Sequence, residues 1–291
     1  MRIKPTTLSS LLLLPDFVFE AFQIKFGYTA KVAWRLMRGP LASQFAIQMS
    51  KYEGKIMTQD QPIAPFDWFA NQFTSERREE FIEKMYPHMK AYLKSGDRVV
   101  DLCCGAGSIT IFLEEQGAQI IGIDLAQYLI TLAREEAVKR GAKATFVQAS
   151  VLNYPLGEGI YDLAVCFGNA ITDFPHQSFP QFRDQVFDAL KPGGYFILEY
   201  IDGLKRVAWM SEPKEVVEQG VDSQIVRRFI EYDPSNGTYK MEFHRPSTNE
   251  TYLCTEYVYI SPLIRLLMEL RFEFVRSIRL EHSFMDVYTK R

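Results

Sequence analysis

Val99 to Thr110 reads VVDLCCGAGSIT: an apolar run with Asp101 near its end, glycines at Gly105 and Gly107, then the start of a helical stretch. Glycines at such a turn let the backbone approach a ligand with no Cβ in the way. A carboxylate beside the turn suits a ligand that carries a cation and would face a pyrophosphate badly. Asp124 ends the next apolar run, 19 positions after Gly105. There a carboxylate can accept hydrogen bonds from both hydroxyls of a ribose. Its plainer use would be to cap the helix beginning at Ala126. Leu125 and Tyr128 stand where they can pack beside such a ribose.

These groups work together only if strand ends lie side by side. RVVDLCC, IIGID, TFVQAS, YDLAVCFG and YFILEY read as five strands, with helices predicted at SITIFLEEQG, Ala126–Arg140 and Phe179–Leu190. Short continuous apolar strands alternating with helices predict an α/β fold, a parallel sheet covered on both faces. Lys191-Pro-Gly-Gly194 stops the third of those helices. After Asp202 the pattern becomes antiparallel: strands at Gln224–Tyr232, Thr238–His244 and Thr251–Tyr259, with a hairpin turn at Asp233–Gly237. A helix at Ser261–Leu270 and strands at Phe272–Ile278 and Phe284–Thr289 close the chain. Ahead of the core, Ser75–Leu93 reads as an amphipathic helix that Pro87 should kink or split near Tyr86. The segments are thus 1–60, an N-terminal helical extension; 61–95, a helical lead-in and lid; 96–203, the core; 204–258, the antiparallel insertion; and 259–291, the closing helix and strands.

A nicotinamide or flavin dinucleotide site would want a third glycine in GxGxxG, and Thr110 stands there instead. The stretch from Arg98 to Glu199, with a weaker match at Tyr259–Val275, resembles the class I S-adenosylmethionine-dependent methyltransferases, whose first motif is close to VLDLGCGTGxxT. The resemblance implies a Rossmann-like, seven-stranded, mostly parallel sheet, S-adenosyl-L-methionine as cofactor and no metal. It implies that Asp101 holds the methionyl amine and that Gly105 and Gly107 admit the methionyl and ribose part. Asp124 and Leu125 would then meet the ribose and adenine, Ser150 and the Val151 backbone the adenine amine, and Phe167 the methionyl group through its carbonyl. Cys103 stands where the family has glycine, and Ser150 where it commonly has aspartate. The Gly168-Asn169 pair resembles small-molecule N-methyltransferases of the glycine N-methyltransferase and amino-sugar type, although Gly-Asn is also ordinary turn chemistry.

Polar groups expected at the strand ends are Asn169, Asp173, His176, Glu199 and Tyr200. Of these, Asn169, His176 and Tyr200 are the candidates for catalysis. A hydroxyl nucleophile wants a base, whereas an amine needs only to lose its proton. Phe66–Phe69 could fold over the cofactor, and Tyr239, Phe243, Tyr252 and Tyr257 could wall an acceptor pocket. By default, alternating aromatics on strands make a packed sheet face.

The net charge of −3 argues against a general nucleic-acid binder. Gly168-Asn169-Ala170-Ile171 replaces the Asp/Asn-Pro-Pro-aromatic signature of amino-methylating DNA enzymes. The expected acceptor is therefore a small molecule, methylated at an amine or a hydroxyl. Residues 1–50 carry Arg2, Lys4, Lys25, Lys31, Arg35 and Arg38 against Asp16 and Glu20. Such a basic, apolar arm either packs on the body or docks on a membrane or partner. The competing functions are therefore a nicotinamide-dependent oxidoreductase and a non-catalytic relative that docks through that arm. None of Cys103, Cys104, Cys166 and Cys254 makes a CxxC pair, which is the usage of a reducing compartment. Leu11–Leu14 is too short to span a bilayer. The cytoplasm is the expected location, and the oligomeric state is left open.

Overall fold

The computed structural model describes Trp68 and residues 75–212, 215–219 and 223–291. The extension, and the docking role considered for it, lie outside the described residues. So do residues 61–74 apart from Trp68.

Helix α1 spans Ser75–Met89 and runs through Pro87, contrary to the expected break near Tyr86. Pro87 lies two residues from the helix end, where the turn it weakens passes directly into a 3-10 turn at Lys90–Tyr92. The core follows in alternation, broken only between β3 and β4, which no helix separates: β1 Arg98–Leu102, α2 Ser108–Glu115, β2 Gln119–Asp124, α3 Gln127–Arg140, β3 Thr145–Gln148, β4 Tyr161–Cys166, α4 Phe179–Ala189 and β5 Leu190–Tyr200. Beyond it lie α5 Gly203–Ser211, then β6 Glu215–Gln219, β7 Gln224–Asp233, β8 Thr238–Arg245 and β9 Glu250–Tyr257. Helix α6 (Ser261–Glu269), β10 (Glu273–Arg279) and β11 (Phe284–Thr289) close the chain.

Seven strands form one sheet in the order β10-β11-β5-β4-β1-β2-β3. Strands β1 to β5 pair in parallel, and β11 runs antiparallel to both β5 and β10. Period-2 alternation divides the strand residues between two apolar layers. Val100, Leu102, Ala164, Cys166, Phe196 and Leu198 pack with Phe182 and Val186 of α4 and Ile264 and Met268 of α6. Val99, Val165 and Ile197 face the other way, onto Ile109 and Leu113 of α2 and Met85 and Met89 of α1. Burial of each such side chain contributes about 1.5–3 kcal/mol. The sheet is thereby a rigid frame for whatever its strand ends carry.

The antiparallel segment has four strands, in the order β6-β7-β8-β9, where three were expected. Helix α5 was not anticipated either. Its signal is Asp202, whose Oδ1 accepts from the N–H groups of Leu204 at 3.1 Å and Lys205 at 3.4 Å. The Asp202 Oδ2 accepts from Ser261 N at 2.8 Å, which joins the start of α5 to the start of α6. Trp68 is buried on this sheet with Ile225, Tyr239, Met241 and Phe243, its ring edge-on to Tyr252 at 4.7 Å. Tyr239 and Phe243 are thus interior residues of a packed face.

Candidate active site

The strand order reverses direction at β1, which has β2 on one side and β4 on the other. Ligands of open α/β sheets bind at the carboxyl ends of the strands at this switch point. Asp101 lies on the last turn of pleat of β1, on the α2 face, and is 2% exposed. Its Oδ2 accepts from Thr110 Oγ1 on α2 at 2.6 Å. Among the described residues no Lys or Arg pairs with it. Burial, only partly opposed by the Thr110 hydroxyl and reinforced by Asp124, lifts its carboxyl to about 7. Thr110, which breaks the dinucleotide fingerprint, is therefore the residue that holds Asp101.

Asp124 ends β2 beside the glycine turn. Gly105 N donates to its Oδ2 at 2.8 Å, and Ala126 N donates to its Oδ1 at 2.8 Å. The one side chain both fastens the turn, with Gly105 at φ +54°, and caps α3. Burial raises the Asp124 carboxyl, against these amide bonds, which lower it. Each oxygen keeps a lone pair for a further donor. Leu125 and Tyr128, on the same loop and the first turn of α3, are 41% and 40% exposed. A buried carboxylate with no cation among the described residues, a doubly anchored carboxylate with spare acceptors, and exposed apolar side chains beside it fit one ligand class. That ligand bears a cation, a diol and a flat ring.

Other positions have different surroundings from those expected. At Gly107, φ is +76° and a Cβ would lie 2.6 Å from the Phe146 ring and 2.9 Å from Ala133 Cβ. Close packing of α2 against β3 and α3 accounts for that glycine, without reference to a ligand. Cys103 adopts φ +61°, which a non-glycine residue seldom does. Its thiol is pushed well up by contact with Cys166 and by burial. Ser150 Oγ accepts from Leu152 N at 3.3 Å, closing the turn after β3. Val151 and Phe167 are buried, one in each apolar layer.

The three catalytic candidates are tied into the scaffold. Asn169 Oδ1 accepts from Ile201 N at 2.8 Å, and its Nδ2 faces Thr172 Oγ1 at 3.4 Å. Glu199 Oε2 accepts from Gly168 N at 2.9 Å and Asn169 N at 3.1 Å. Together they latch the turn after β4 to the end of β5. His176 Nε2 donates to the Val258 carbonyl at 3.2 Å, and its ring lies edge-on to Tyr257 and Tyr259. Tyr200 is fully buried and donates to Asp286 Oδ2 at 3.0 Å, as does Tyr288. These polar atoms already have protein partners, so the structure supports positioning roles for them.

The turn after β4 ends in a 3-10 segment, Ala170–Asp173, against which β9 packs. Ile171 and Thr172 are buried, while Asp173 is exposed. Its carboxyl is nonetheless raised to about 8, first by the protein around it and then by Glu256, with Asp124 adding and Arg206 opposing. Facing it, Arg206 Nη2 donates to Glu256 Oε2 at 2.9 Å, and the Tyr239 hydroxyl donates to the same oxygen. Sequence reasoning missed Arg206 and Glu256, which lie 33 and 83 residues beyond Asp173. No local spacing links them. Among the described residues, no three His, Cys, Asp or Glu side chains are grouped to hold a metal ion.

Residues 99–194 match the family model of a methyltransferase domain. An uncharacterized methyltransferase from Synechocystis is 30% identical over 129 residues, 44% of this chain and 58% of its own length. The demethylmenaquinone methyltransferase of Thermus thermophilus is 29% identical, over 36% of this chain and 47% of its own. This chain thus spans about half the length of the curated relatives it matches. A solved S-adenosylmethionine-dependent methyltransferase from Clostridium acetobutylicum superposes with a TM-score of 0.60 at 14% identity, covering 78% of this chain and 96% of that one. The fold is the Rossmann-like fold of class I methyltransferases. Residues 99–194 are thus similar to methyltransferase domains, and the cofactor that goes with this match is S-adenosyl-L-methionine. The relatives carry names with acceptors as different as demethylmenaquinone and ribosomal protein L11.

Proposed function

We propose that this chain is an S-adenosylmethionine-dependent methyltransferase that transfers the methyl group in line to an amine or hydroxyl of a small molecule. The observation that carries the reading is the arrangement at the switch point: Asp101 buried with no cation among the described residues, and Asp124 fixed by the amides of Gly105 and Ala126. S-adenosylmethionine supplies a methyl group already activated on a sulfonium. In this reading Asp101 holds the methionyl ammonium, and Asp124 accepts from the ribose hydroxyls. Leu125 and Tyr128 cover the adenine side, and Ser150 and Val151 border it. The glycine turn, held by Asp124, keeps the backbone at contact distance. Alignment of nucleophile, carbon and sulfur, with water excluded, supplies much of the rate.

The small acceptor is supported by the four-stranded sheet, whose β9 packs on the turn after β4 and so narrows the approach to the strand ends. A net charge of −3 is also a poor match for a nucleic-acid acceptor. Among the described residues no helix is long and apolar enough to cross a membrane. The four cysteines, free in the structure, suit a reducing compartment such as the cytoplasm. Calorimetric titration with S-adenosylhomocysteine and with NAD tests the donor. Binding of NAD without S-adenosylhomocysteine would overturn the reading. Incubation with labelled S-adenosylmethionine and a metabolite extract, followed by identification of the labelled product, tests the acceptor. Label found only in nucleic acid or protein would overturn that part.

A further inference from the structure

The sheet places β4 between β1 and β5, so the turn that leaves β4 stands between the ends of the other two strands. Register fixes the neighbours: Asp101 pairs with Val165, Val165 with Ile197, and Cys166 with both Leu102 and Leu198. Period-2 alternation puts Asp101, Val165, Ile197 and Glu199 on the α2 face, where Phe167 also packs. Glu199 is the next-to-last residue of β5 and is 7% exposed. Gly168 and Asn169 are both left-handed, at φ +75° and +60°. Successive N–H groups in such a turn converge on one point. Here that point is Glu199 Oε2, which accepts from both. Ile201 N returns a bond to Asn169 Oδ1, so the turn and the end of β5 hold each other. A left-handed residue that has a Cβ keeps its conformation only while its surroundings enforce it.

We propose that Glu199 is a positioning residue: through the amides of Gly168 and Asn169 it sets the end of β4 against β1, and with it the part of the site that takes the amino-acid end of the methyl donor. The inference rests on the donor reading given above, in which Asp101 holds the methionyl ammonium. Asp101 stands on β1, directly beside β4. Asp124, which that reading gives to the ribose, ends β2 on the other side of β1. Its anchors, Gly105 N and Ala126 N, involve neither β4 nor β5. A disturbance of the β4 turn therefore reaches one half of the donor and spares the other. Glu199→Met fills about the same volume without an acceptor, so it orphans two amides and frees Asn169 from its strained conformation. Glu199→Gln keeps an oxygen for both amides.

5′-Methylthioadenosine carries the adenine, ribose and sulfur of the donor without its amino acid. Its affinity, read by displacement of S-adenosylhomocysteine, is to be compared with that of S-adenosylhomocysteine itself by calorimetry. The proteins are the native chain, Glu199→Met and Glu199→Gln. In Glu199→Met, S-adenosylhomocysteine should bind about tenfold more weakly, the worth of one hydrogen bond to a charged group, with 5′-methylthioadenosine unchanged. Glu199→Gln should stay within about twofold of native for both ligands. Equal loss of both ligands in Glu199→Met, or no loss of either, would overturn this inference and leave the donor reading intact. A Glu199→Gln as weak as Glu199→Met would assign the effect to charge instead of the turn, and so overturn it too. Failure of the native protein to bind S-adenosylhomocysteine would overturn the donor reading and this inference with it. Should Glu199→Met not fold, Asn169→Gly decides: glycine takes φ +60° freely but has no oxygen for Ile201 N. A selective loss of S-adenosylhomocysteine is again expected there, and a native ratio of the two affinities counts against the proposal.

Discussion

Replacing Asp101 by Asn is expected to stabilise the unliganded protein above neutral pH and to weaken donor binding at the same time. Asp101 is buried, and its carboxyl is raised from 3.8 to about 7. A carboxyl whose folded value exceeds its unfolded value binds its proton more tightly when folded. The stability it lends is complete below about pH 4 and is lost as pH rises through about 7. At about 1.4 kcal/mol for each tenfold change in proton affinity, the rise is worth about 4 kcal/mol at most. Asn keeps an oxygen for the Thr110 hydroxyl, so that bond survives the change. Urea unfolding at about pH 4 and pH 8 should therefore show a small difference between variant and native at the lower pH. At the higher pH the variant should be more stable by about 2–4 kcal/mol. Asp124, Asp173 and Glu199 are raised as well, and the difference between the two proteins removes their common contribution. S-adenosylhomocysteine affinity should fall by about 10- to 100-fold, the worth of a hydrogen bond to a charged group. A variant with native pH dependence of stability, or with native S-adenosylhomocysteine affinity, would refute the reasoning.

Two further outcomes follow from packing. Gly107→Ala puts a methyl within 2.6 Å of Phe146 at φ +76°, so it should cost about 2–4 kcal/mol in urea unfolding. Truncating Phe146 as well should not recover the loss, since the backbone strain persists. Arg206→Met leaves Glu256, 8% exposed, without its cation, and a loss of about 3–5 kcal/mol is expected. Urea unfolding of the variant beside the native protein reads that loss.

The alternating half of the molecule was legible because its signals are local. Apolar runs of four to six residues marked β1 to β4, the first two each followed by a turn and a helix, and Phe284–Thr289 forms β11 with the expected bounds. Asp101 and Asp124 could be placed at strand ends for the same reason. Helix α5 was missed because its few residues follow Asp202 inside a region read as strands, and the cap was not recognised. Strand β6 is a short edge strand with nothing but alternation to announce it. The catalytic candidates show a different limit. Sequence position brings Asn169, His176 and Tyr200 near the correct end of the sheet. It does not say that Ile201, Val258 and Asp286 will occupy their polar atoms. Asp173, Arg206 and Glu256 meet only through the docking of β9 and α5, so their grouping is a tertiary fact.

The double anchoring of Asp124 bears on how quickly a ligand can be exchanged. A carboxylate free to rotate would have to be frozen on binding, at a cost of about 0.5–1.5 kcal/mol. Here the amides of Gly105 and Ala126 hold both oxygens before any ligand arrives. Folding has already met that entropy cost, so a departing product leaves behind a site with nothing to rebuild. The same two amides tie ligand exchange to local folding: loosening the first turn of α3 would release one oxygen of the carboxylate at the moment it released the helix.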